Sequence, residues 1–253
     1  MGVSICRKNL ELSEGLLADA LPGAMPDQTD EVKEGFRMEI MEMIRQLYSV
    51  EELQGYTEDE IAFVKDCFGA LPGTVEEFWR RAARTEAIHR VQDFWTEPEM
   101  FRKQERLRDS NYLILLIENQ GCCRAGIRIS DLLEEDPPVY VTFNERVWTL
   151  CAESVSEFLQ AALAYEAIFE FPYQPEEFLF WFTKEELETV QSGLNKMPFE
   201  LHGWCHADMS FYNSAPDHMV AVMDCGDLQV LYGAASEESY QKLMTVMEGL
   251  GEA

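Results

Sequence analysis

The residues best equipped for chemistry are bunched toward the C-terminal end: His202, Cys205, His206 and Asp208, followed by Asp224 and Cys225. Imidazole and thiolate are the ligands zinc prefers, so a metal-dependent hydrolase using His202, His206 and Asp224 is one function class to weigh. If this stretch is a strand, however, its side chains alternate. His202 and His206 then share one face and Cys205 takes the other, and no tetrahedral site closes without a bulge. Small cysteines filling core space are the competing reading. Cys122 and Cys123 are adjacent, and neighbouring thiols bridge only through a strained ring, so they read as incidental. Other catalytic signatures are absent: there is no G-x-x-x-x-G-K phosphate loop, no G-x-G-x-x-G, no H-E-x-x-H and no G-x-S-x-G elbow. The expectation is a chain with no catalytic residues, no cofactor and no metal.

Binding chemistry is the remaining class. Arg80, Arg81, Arg84, Arg90, Arg102, Lys103, Arg106 and Arg108 form the basic cluster on which an acidic ligand could dock, or else a solvated helix face. Trp79, Trp95, Tyr112, Tyr140, Trp148, Tyr165 and Trp181 could stack on nucleobases. Against that stands the charge: 47 acidic and 20 basic side chains give −27, a field that repels phosphates and anionic lipid. The imbalance is uneven. Residues 1–60 carry 14 acids and 5 bases, residues 61–150 carry 15 and 12, and residues 151–253 carry 18 and 3. Such acidic flanks speed encounter with a basic partner, solubility being the alternative use. Nucleic acid and membrane are not expected partners.

The elements that must hold these residues are legible in part. Val32, Phe36, Ile40, Met43, Ile44 and Leu47 recur at helical spacing over 30–48, with Gly35 a weak point. Thr57 with Glu60, Thr74 with Glu77, Ser154 with Glu157 and Thr183 with Glu186 match the capping-box pattern ahead of apolar periodicity, and Gly69 is a stop. Thr142 with Glu145 matches the same pattern inside a strand region. A last helix runs from Ser236 to Leu250. Strands are expected at 112–117, 123–129, 139–143, 178–182, 201–205, 218–223 and 228–232, with Asp224-Cys225-Gly226-Asp227 as a hairpin turn. The fold class is α+β, built from hairpins rather than βαβ units.

With 47% hydrophobic residues against 15 Gly and 10 Pro, the chain has enough apolar surface for a sizeable core and is not low-complexity. Glu11, Glu14 and Asp19 interrupt what would be a signal core in Met1–Leu21. The run 112–117 is far too short to span a bilayer, and seven cysteines are no secreted framework. A cytoplasmic location is expected.

Several segments, in order, resemble the SUKH superfamily of SMI/KNR-type proteins. They are Leu71-Pro72, Glu77-Phe78-Trp79, Tyr112-Leu113-Ile114 leading to Glu118-Asn119-Gln120-Gly121, Gly126-Ile127, Asp136-Pro137-Pro138-Val139-Tyr140, Trp148 and Ser156-Glu157-Phe158-Leu159. The resemblance covers 57–170. It places an acidic helical segment at 1–56 before a SUKH-like core at 57–170, with 171–253 as an α+β extension packed on it. It implies a mixed, mostly antiparallel sheet flanked by helices. Bacterial relatives are immunity proteins of polymorphic toxin systems, which bind a cognate toxin, often a nuclease and hence basic. A regulatory scaffold of the same fold with a non-toxin partner is the alternative. The partner-binding residues it suggests are Glu118, Asn119, Gln120, Asp136 and Trp148, where Asn119 and Asp136 could equally serve the fold.

Overall fold

A computed structural model describes residues 40–252, and within them eight helices and ten strands form an α+β fold. Residues 30–39 of the expected first helix, with Val32, Gly35 and Phe36, lie outside the described residues, as does most of the 1–56 segment. Helix α1 (Ile40–Leu47) buries Met43, Ile44 and Leu47, the predicted stripe. Helix α2 (Glu58–Phe68) starts at a reciprocal capping box between Thr57 and Glu60 and stops at Gly69, whose φ of 83° relieves the last turn. Helix α3 (Gly73–Arg81) departs from expectation. Its N-cap is Pro72, which has no side-chain acceptor to offer; Thr74 instead donates to the Glu135 carbonyl, and Glu77 pairs with Arg81. The buried face is nevertheless the predicted one, with Val75, Phe78 and Trp79 inside.

Two short helices, α4 (Pro98–Lys103) and α5 (Glu105–Arg108), lead from a two-residue strand β1 (Phe94–Trp95) into β2 (Tyr112–Ile117). Strands β3 (Arg124–Arg128), β4 (Val139–Thr142) and β5 (Thr149–Ala152) complete a first sheet in the order β1-β2-β3-β4-β5, every pair antiparallel. Among the described residues the parallel component expected of a mixed sheet is confined to one isolated bridge, Gln54 to Ala83. β2 bulges between Ile114 and Leu116, and the Thr96 hydroxyl satisfies the carbonyl of Ile114 at 2.6 Å. Gly126 sits opposite Ile114, where a Cβ would lie 2.6 Å from the Leu113 carbonyl oxygen and 3.1 Å from the Ile114 Cα. Backbone cannot yield as a side chain can. Gly126→Ala is therefore expected to cost about 1–3 kcal/mol, measured as a fall in the denaturant midpoint at constant m-value.

Helix α6 (Val155–Glu170) joins the halves. Ser154 caps it by accepting the Glu157 N–H, but the Glu157 carboxylate accepts the N–H of Glu153 rather than that of Ser154, so the box is only half formed. Eleven of its sixteen residues are buried, and it packs against β5 and then against the second sheet. That sheet runs β6 (Phe180–Phe182), β10 (Leu228–Ala234), β9 (His218–Asp224), β8 (Ala207–Asn213), β7 (Asn195–Trp204), again wholly antiparallel. β9 alternates between two cores. Met219, Ala221 and Met223 face the one shared with α6 and the first sheet, while Val220 and Val222 face a smaller one. The latter is closed by α7 (Lys184–Gly193), which has the predicted Thr183–Glu186 box, and by α8 (Glu237–Met247), capped by Ser236. Residues 40–252 thus share one principal core across both sheets. Among the described residues, no helix is long and apolar enough to cross a membrane.

Candidate partner-binding surface and the junction between the sheets

The suggested binding residues divide by what they touch. Glu118 is buried, and its carboxylate accepts the N–H groups of Gln120 at 2.9 Å and Cys122 at 3.1 Å, shaping the β2–β3 turn from inside. The Asn119 N–H donates to Asp93. Asp136 accepts the Ser156 N–H at 2.8 Å and also the Ser156 hydroxyl, tying the Pro137-Pro138 loop to the start of α6. The Glu118 and Asp136 carboxylates and the Asn119 backbone N–H thus hold the fold. Gln120 is exposed, and Trp148 is half-buried.

Trp148 belongs to a surface that the sequence did not assemble. Its ring stacks on Tyr112 with centroids 3.7 Å apart; Tyr112 meets Tyr140 edge-on at 6.0 Å, and the Arg128 guanidinium lies 4.5 Å over Tyr140. Arg106, Arg124 and Arg146 join them around an open cleft of about 770 Å³, with Glu105, Asp109 and Glu145 at its margin. Arg124 pairs with Glu145 at 2.5 Å and Arg128 with Asp131 at 3.7 Å, whereas Arg106 and Arg146 make no ion pair among the described residues. Beside the cleft the β4–β5 hairpin exposes Phe143 (36%), Val147 (62%) and Leu150 (37%).

The hairpin loop is held by its own polar groups. The Thr142 hydroxyl accepts the N–H groups of Asn144 and Glu145 and donates to the Val147 carbonyl, while the Asn144 side-chain oxygen accepts those of Arg146 and Val147. The Thr142–Glu145 spacing that mimics a capping box is this turn, with Glu145 at φ 62°.

The histidine and cysteine cluster spans the end of β7, which keeps His202 in the expected strand, a two-residue turn and the start of β8. β7 and β8 meet at Trp204 and Ala207, and Cys205 (φ 52°) and His206 (φ 64°) form the two-residue turn between them. His206 stacks on Phe143 at 3.6 Å, His202 lies near Asp208 and Glu200 on the strands, and Asp224 ends β9. The proposed ligands are thus dispersed. Among the described residues no group of three or more His, Cys, Asp or Glu is gathered to hold a metal ion.

What this turn does meet is the first sheet. The Trp204 indole N–H donates to Asp93 at 3.2 Å, and the Asp93 N–H donates to Glu166 of α6 at 3.0 Å. Both carboxyls are buried. Burial first, then the nearby Asp93 charge, raises the Glu166 carboxyl well above its usual range; burial likewise pushes Asp93 up to about 6, opposed by its hydrogen bonds and reinforced by Glu118. Glu166 Oε1 has no hydrogen-bond partner among the described residues. The one signal of this pair in the sequence is a lone Glu in the apolar stretch Ala161–Ile168. Comparison with protein-family models, with curated proteins and with solved structures gave no match in any of the three.

Proposed function

We propose that this chain is a non-catalytic protein-binding module of the SUKH type, an immunity protein that neutralises a basic toxin domain by direct binding. The observation that carries the reading is the β4–β5 hairpin with its adjoining cleft. A loop locked by its own hydrogen bonds displays Val147 and Leu150 beside Trp148 and two arginines, Arg106 and Arg146, that make no ion pair among the described residues. Trp, Tyr and Arg at an apolar centre are the composition of binding hot spots, and a rigid loop loses little entropy on docking.

The acid excess over 151–253, 18 acids to 3 bases, supports a basic partner through steering rather than through contact at the cleft. Binding to the toxin domain encoded beside this gene, read by calorimetry and by rescue of growth on co-expression, tests the reading. Val147→Asp, at an exposed position, should weaken binding by about tenfold or more with an unchanged melting temperature. Changing Glu176, Glu177, Glu185 and Glu186 together to Gln should slow association at low salt while leaving the dissociation rate alone. Absence of binding and of rescue would discard the proposal.

A further inference from the structure

Three thiols from two sheets meet where the β2–β3 and β7–β8 turns face each other. Cys123 Sγ lies 3.9 Å from Cys205 Sγ across 82 residues of sequence. Cys122, its neighbour, is exposed. None of the six described cysteines is bridged to another of them. A shallow groove of about 170 Å³, walled by Gly121, Arg124, Phe143 and Glu145, opens on Cys122, wide enough for a small oxidant. The Cys123 carbonyl accepts the Glu118 N–H at 3.0 Å and the Cys122 N–H is held by the Glu118 carboxylate, whereas Cys205 sits in the two-residue turn outside the β7–β8 pairing, so it is the Cys205 side that can shift toward the roughly 2.05 Å of a bond.

We propose that Cys122 is a hydroperoxide-reactive thiol and Cys205 its resolving partner, so that peroxide converts the cluster into a disulfide joining the first sheet to the second. The Cys122 thiolate attacks the peroxide O–O bond, forming a Cys122 sulfenic acid and releasing water once the leaving hydroxide takes up a proton. The Cys205 sulfur then attacks the sulfenic sulfur, its proton leaving with the displaced hydroxide as a second water. Two thiols are oxidised to one disulfide while one hydrogen peroxide is reduced to two waters. The division of roles follows the environment. Hydrogen bonding from Cys205 draws the Cys122 thiol below its ordinary range, and those bonds together with burial hold Cys205 well above it, so the exposed sulfur is the nucleophile. Cys123 is placed to exchange into the bond with Cys205 afterwards.

The full chain, treated with hydrogen peroxide, quenched by alkylation and mapped by peptide mass spectrometry, should show Cys205 bridged to Cys122 or Cys123. C122S should slow that bridging by about tenfold or more, and C205S should leave Cys122 as a sulfenic acid trapped by dimedone. No bridge to Cys205 in the wild-type chain, or a bridge formed as fast in C122S, would overturn the proposal.

Discussion

The chain should resist denaturant better at pH 5 than at pH 7.5, with about 1–2 kcal/mol of the difference coming from the buried Asp93–Glu166 pair. Asp93 titrates from an ordinary value of 3.8 in the unfolded chain to about 6 in the fold, and Glu166 is raised as well. Between those limits the folded state holds more protons than the unfolded one, so stability falls as pH rises. Asp93's share is complete below about pH 4 and gone above its folded value, and Glu166's share falls in the same direction as pH rises through its own raised value. Carboxylates with the opposite shift, such as Glu60 and Glu186 at their cap hydrogen bonds, lose their contribution only as pH falls through their lowered values, outside this window. The groups around the pair are Glu118 from the end of β2, Tyr48 after α1, Tyr165 of α6 and Cys205 of the turn, and none supplies a compensating positive charge. Relief of the overall −27 repulsion acts in the same direction, so the pair needs a variant of its own. Glu166→Gln keeps the volume and the acceptor for the Asp93 N–H, and its amide can donate to an ionised Asp93. It should raise stability at pH 7.5 by about 1–2 kcal/mol and flatten the slope between pH 5 and 7.5. An unchanged slope in denaturant titrations would assign the pH dependence to net charge instead.

What could be read from the sequence was what short-range chemistry decides. The boxes at Thr57 and Thr183 formed because every atom involved lies within one turn of helix. The box at Thr74 did not, because Pro72 took the cap position and Glu135, sixty-one residues away, offered the Thr74 hydroxyl a carbonyl. The α+β class and the hairpin at Asp224–Asp227 followed from apolar alternation punctuated by turn residues. Strands β1 and β5 carry two and four residues, too few for a period to show, and exist through pairing with β2 and β4. The cleft and the thiol cluster had no local trace. Each gathers residues separated by tens of positions, and the turn that brings Cys205 to Cys123 requires positive φ at two non-glycine residues, which sequence pattern disfavours. Asp136, suggested as a binding residue, illustrates the converse: its partner Ser156 lies twenty residues on, inside the family-like segment, and the pair serves the fold.

Trp204→Ala should be the most damaging single change considered, lowering stability by about 4–5 kcal/mol. The ring is fully buried at the end of β7, in the core shared by both sheets, so truncation removes its transfer free energy and leaves a cavity among strands that cannot collapse independently. Truncation also strips Asp93 of the donor at 3.2 Å, leaving its carboxyl with the Asn119 N–H at 3.1 Å. Trp204→Phe separates the two contributions. It keeps most of the apolar bulk and loses the indole N–H, and should cost about 1–3 kcal/mol. Because the lost bond is one that favours ionised Asp93, that variant should also push the Asp93 transition above 6 and steepen the fall in stability toward pH 7.5, an effect a cavity alone would not produce. Urea denaturation of the wild type and both variants at pH 5 and pH 7.5 supplies the comparison. If Trp204→Phe lost the same free energy at both pH values, the indole would be acting through packing only, and Asp93 would owe its state to burial and Glu166.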